Sequence, residues 1–83
     1  MTQPMEAKTV VGDPNWAPLE AVIPENECAL FMYMGRAGDI ELYKHRYTRR
    51  YLNIASNARR FYLYSNGNYA EVSEAVALEH VRG

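Results

Sequence analysis

The chain has 83 residues, of which 48% are hydrophobic and 23% charged, with a formal net charge of −1. That length supports one core and leaves no chain for a second domain or for a cleft walled on several sides. The composition is that of a folding sequence rather than a disordered one. A single cysteine, Cys28, excludes an internal disulfide and any zinc site built on several thiolates, and it points to a reducing cytoplasm.

Residues 1–12, with no periodicity, are expected to be a flexible N-terminus, followed by one α+β domain over 13–83. Nothing in "MTQPMEAKTV" reads as a signal peptide, and no apolar run is long enough for a membrane span, so a soluble cytoplasmic protein is expected. In "DPNWAPLEAVIPENE", Pro18 suits the first turn of a helix and Pro24 cannot continue one, which predicts a short helix over 18–23. Trp16, Leu19, Val22 and Ile23 form its apolar side.

From Cys28 the pattern turns to β. "ALFMYM", "DIELYKH", "RRYLNI", "RRFYLY" and "YAEV" read as five strands of an antiparallel meander over about 28–72, joined by "GRAG", an inner hairpin loop, "SNA" and the strong hairpin turn "NG". "SEAVALEHVRG" then predicts a helix over 74–82, with Ser73 as N-cap, an acidic first turn, a basic last turn and a glycine stop. The short N-terminal helix and this C-terminal helix are expected to pack together on one face of the sheet.

The register depends on where the chain turns inside "YKHRYTRRY". One straight strand over 40–54 would place Lys44, Arg46 and Arg50 in the middle of the core face, at several kcal/mol for each unpaired charge. A three-residue loop Arg46-Tyr47-Thr48 instead pairs His45 with Arg49, Tyr43 with Tyr51, Leu42 with Leu52 and Ile40 with Ile54. With Met34 opposite Asp39 and "ASNA" as the next loop, a core row Phe31, Leu42, Leu52, Phe61 and Val72 follows, flanked by Tyr33, Ile40, Ile54, Leu63 and Ala70. The opposite face then carries Leu30, Tyr43, Tyr51, Tyr62 and Glu71.

That outer face supplies the candidate binding residues: Tyr43, Tyr51 and Tyr62 in a row, His45, Arg49 and Tyr64 to one side, Arg60 to the other, and Arg46 and Tyr47 on the loop. Cross-strand tyrosines also stabilise sheets, so each ring alone has a structural explanation. The whole set, open and rimmed by arginine, is the composition of a docking surface. Charge guides the choice of partner. Residues 1–35 carry one lysine against five carboxylates, 36–60 seven basic groups against two, and 61–83 one arginine against three.

A sequence pI near 6.1 is low for a dedicated nucleic-acid binder, whose domain is usually basic. The expected function is therefore a non-catalytic module for a protein partner, with a second copy of the chain as one candidate. A single-stranded RNA-binding module is the alternative, since bases can stack on sheet-mounted aromatics while arginines hold phosphates. A small ribonuclease using His45 with Tyr43, Lys44 and Arg49 ranks lower, because a sheet rim lacks a pocket. No cofactor is expected, and with His45 and His80 the only histidines, no metal either.

Overall fold

The computed structural model describes residues 13–83, and the expectation of a flexible stretch over 1–12 lies outside the described residues. Its elements are α1 (Ala17–Glu20), α2 (Glu25–Cys28), β1 (Phe31–Ala37), β2 (Ile40–His45), β3 (Tyr51–Ala55), β4 (Phe61–Ser65), β5 (Asn68–Val72) and α3 (Glu74–Arg82). The five strands form one antiparallel sheet in the order β1-β2-β3-β4-β5, a meander, with the helices on one face. The α+β architecture and the C-terminal helix are as the sequence predicts.

Local boundaries near the N-terminus differ. The predicted helix over 18–23 is a single turn, α1, extended by Ile23 N–H donating to Leu19 O at 2.8 Å. Pro24 then caps α2, a second turn in "ENEC" that replaces the expected beginning of the sheet at Cys28. Two short helical turns around Pro24 bury Leu19 and Ile23 against the sheet, which one continuous helix cannot do past a proline.

α3 begins where expected, with the Ser73 Oγ accepting from Val76 N–H at 3.2 Å. "NG" makes its hairpin turn with both residues at positive φ, 52° at Asn66 and 83° at Gly67, and Phe61 pairs with Val72 as predicted. The first hairpin is tighter than expected. β1 runs on to Ala37, opposite Ile40, and Gly38 alone takes a left-handed φ of 61° in a two-residue turn. A bulge at Met34 absorbs the difference in register.

The register of β2 on β3 overturns the central expectation. Tyr43 pairs with Leu52, Lys44 with Tyr51 and Leu42 with Asn53, one residue away from the predicted pairing. The loop holds four residues, 46–49, rather than three: His45 N–H donates to Arg50 O at 2.8 Å, and Arg49 closes the turn at φ 66°. A one-residue slip exchanges faces. Glu41, Tyr43 and His45 therefore share the helix-side face with Leu52 and Ile54, and Ile40, Leu42 and Lys44 share the outer face with Tyr51 and Asn53.

The next loop also has four residues, with Ala55 N–H donating to Arg60 O at 2.9 Å, so Ile54 rather than Leu52 meets Phe61. This shift is by two residues, and Leu52, Ile54 and Phe61 keep the predicted face. The core comprises Leu19, Ile23, Phe31, Tyr43, Leu52, Ile54, Phe61, Ala77 and Val81, with Trp16, Tyr33, Val72 and Leu78 packed around it. Leu42 is buried as well, 4% exposed, but outside that cluster.

Candidate functional site

The tyrosines of "YKHRYTRRY" part company. Tyr43 is fully buried and belongs to the core, so its predicted place on the outer row is corrected. Its hydroxyl donates to Asn15 O, and Trp16 lies over it with ring centroids 5.7 Å apart. Beside it the Glu41 carboxylate, also fully buried, accepts from Tyr33 Oη at 2.6 Å, Arg36 Nε at 2.7 Å, Ser56 Oγ at 2.6 Å and Asn15 Nδ2 at 3.4 Å. These donors come from the N-terminal loop, β1 and the β3–β4 loop, so one anion ties three segments together. Burial alone would push the Glu41 acid up; the four donors outweigh it and hold the group below the usual carboxylate value.

The two neighbouring phenols respond in the opposite sense. Burial first, then the Glu41 carboxylate, pushes Tyr33 up to about 12 and Tyr43 higher still. The fold therefore favours the neutral phenol. Stability from these two groups is complete below the ordinary tyrosine value of about 10 and is lost as pH rises through the folded values. The Tyr33 and Tyr43 rings, followed individually by NMR as pH rises, are expected to stay neutral phenols well past pH 10 and to ionise only as the chain unfolds. Ionisation of either ring near the ordinary tyrosine value in the folded protein would contradict the packing.

The loop of the quoted segment serves α3. His45 Nδ1 accepts from Tyr47 N–H at 3.1 Å and Thr48 N–H at 3.2 Å, and its ring meets Phe31 edge-on at 5.1 Å. Thr48 Oγ1 donates to Val81 O at 2.7 Å, Arg50 Nη1 to His80 O at 3.2 Å, and Arg46 N–H to Leu30 O at 2.8 Å. Helix C-termini leave carbonyls without intrahelical partners and favour a nearby cation, and Thr48 and Arg50 supply both needs here. His45 Nδ1 thus already holds two backbone donors. Arg46, Arg49 and Tyr47, the last 74% exposed, project at this end of the molecule beside α3.

Tyr51, Tyr62 and Tyr64 remain on the outer face, where β3 and β4 carry them, and β5 adds Tyr69, which is not among the residues predicted above. The "NG" turn implies the Tyr64–Tyr69 pairing, so the signal was present. The Tyr64 and Tyr69 rings pack 4.8 Å apart at 57°, and Lys44 Nζ sits 5.8 Å from the Tyr51 ring centroid. Arg60 lies 3.9 Å from Glu71, Tyr64 is 56% exposed, and the other three rings are half-buried. Asn53, between Leu42 and Tyr62, is 2% exposed: its amide donates to Tyr62 O at 3.2 Å, while Oδ1 has no partner among the described residues.

The nine predicted residues thus form two exposed groups rather than one. Tyr51, Tyr62, Tyr64 and Arg60 share a face with Lys44 and Tyr69; Arg46, Tyr47 and Arg49 form a basic tip; Tyr43 and His45 are structural. A further arginine, Arg59, spans Glu74 at 2.9 and 2.8 Å and Ala21 O at 3.2 Å, bracing α3 against α1. It rims a shallow apolar groove of about 230 Å³ beside Pro18, Val22 and Ile54.

Among the described residues no group of three His, Cys, Asp or Glu side chains gathers as a metal site requires, and no helix is long and apolar enough to cross a membrane. The chain matches no family model, and no curated protein or solved structure is significantly similar to it.

Proposed function

We propose that the chain is a non-catalytic interaction module whose outer sheet face, Lys44, Tyr51, Tyr62, Tyr64 and Tyr69 with Arg60, takes up a protein partner presenting an acidic segment with apolar residues. The observation that carries this reading is the tyrosine cluster spanning three adjacent strands on the face away from the helices. Such rings supply large contact area at low entropic cost. Lys44 and Arg60, with Glu71 the one carboxylate beside them among the described residues, favour a partner of negative charge.

The way the rings lie supports protein over nucleic acid. Tyr64 and Tyr69 are tilted together at 4.8 Å and cover part of each other's faces, whereas stacked bases need separate open rings. One observation favours single-stranded RNA: Glu20, Glu25, Glu27, Glu74 and Glu79 all lie on or next to the helices, across the sheet from the tyrosines, so phosphate would not meet them there.

Amide and ring shifts on addition of a short Glu/Leu-rich peptide test the proposal against a single-stranded oligonucleotide, near physiological salt. Shifts confined to Lys44, Tyr51, Tyr62, Tyr64 and Tyr69 with the peptide, abolished by Tyr51→Ala with Tyr64→Ala, are the expected result. Tight oligonucleotide binding with a steep salt slope would transfer the face to RNA. No response to either probe would overturn the proposal.

A further inference from the structure

We propose that the chain pairs with a second copy of itself along β5, antiparallel about Ala70, to make one continuous ten-stranded sheet. β5 lies at the edge of the sheet, and α3 packs over β3 and β4 rather than across that edge. Its pairing with β4 is regular at all five positions, and "NYAEV" has no lysine, arginine or proline. The opposite edge, β1, is interrupted by the bulge at Met34 and carries Arg36. Exposed edges are normally blunted by such devices, because their unpaired N–H and C=O groups recruit further strands. β5 lacks them.

The hairpin geometry says which groups are free. In a two-residue turn the flanking residues, here Ser65 and Asn68, form the hydrogen-bonded pair, and the pattern then alternates. Asn68, Ala70 and Val72 direct their backbone groups to β4. Tyr69 and Glu71 direct theirs outward, symmetrically about Ala70.

A two-fold axis at Ala70 therefore sets Tyr69 opposite Glu71 of the second copy on both sides of the axis, with four main-chain hydrogen bonds formed by the two pairs. The two Ala70 residues face each other in the close, non-hydrogen-bonded position, which a small side chain suits. Glu71 is the only charged residue of β5, and in this register each carboxylate meets a phenol ring rather than its own copy. The two tyrosine faces become one surface with a Tyr69 on each side of the seam. The pairing stands on the strand edge alone and does not require the face to bind a partner.

Sedimentation of the full chain over a wide concentration range, with Glu71→Pro beside wild type, tests this. The Glu71 N–H points away from β4, so proline there removes an outward donor and leaves the β4 ladder whole. The expected result is a wild-type mass rising from one chain to two, and a dissociation constant raised at least about tenfold in Glu71→Pro, with matching melting temperatures at dilutions where both proteins are single chains. A monomer at every concentration, or a dimer indifferent to the substitution, overturns the proposal. Should Glu71→Pro fail to fold, amide exchange of the wild type decides: Tyr69 and Glu71 amides that slow with concentration support the pairing, and exchange independent of concentration overturns it.

Discussion

Replacing Glu41 with alanine is expected to cost about 3–5 kcal/mol, much of the stability of a chain this small. The substitution leaves the Tyr33 hydroxyl, the Ser56 hydroxyl and the Arg36 guanidinium without their common acceptor, and it unties three segments at once. Arg36 is partly exposed and can turn to water, whereas the site Glu41 vacates is closed to solvent. Glu41→Gln keeps the shape but removes the charge that gathers the donors, and should recover only part of the loss.

The pH dependence carries a distinct signature. The folded value lies below the unfolded one, so this contribution is complete above the ordinary carboxylate value of about 4.3 and is lost as pH falls through the folded value. Urea unfolding measured at several acid pH values should show wild type losing stability steeply and Glu41→Gln less so. Parallel curves, or a loss under about 1 kcal/mol in Glu41→Ala, would mean that the buried cluster does not hold the fold.

Tyr43→Ala is expected to be comparably damaging, about 3–5 kcal/mol, while Tyr51→Ala costs no more than about 1 kcal/mol. The two rings stand at either end of one short segment and differ only in which side of the sheet they occupy. Tyr43 packs beneath Trp16 and against Tyr33, with centroids 5.7 and 5.8 Å away, whereas Tyr51 lies on the open face under Lys44. Tyr43→Phe isolates the hydroxyl bond to Asn15 O at roughly 0.5–1.5 kcal/mol. Equal costs for the two alanine variants, or the reverse order, would restore the register with Tyr43 outside. Thermal or denaturant unfolding of three single variants is sufficient.

Much of the fold was legible because short-range rules govern it. Two left-handed residues at "NG" set the last hairpin, Ser73 and Gly83 bounded α3, and alternation placed Leu52, Ile54 and Phe61 on the core face even though their cross-strand partners shifted. Tyr51, Tyr62 and Tyr64 kept their outward side for the same reason. The position of the inner loop was not legible in that way. Three- and four-residue loops both fit "HRYTRR", and they differ by the single residue that inverts β2 against its neighbour.

What the sequence determined by itself is the antiparallel meander of five strands, the helix at its end and the segregation of charge, all products of local pattern. Tertiary structure decided the side on which Glu41 and Tyr43 lie. Alternation argues against placing a glutamate in the core, and the arrangement holds only because Asn15, Tyr33, Arg36 and Ser56 converge on that carboxylate from distant points of the chain. A buried charge is admissible only when its partners arrive in space, and no spacing along the chain records that they do.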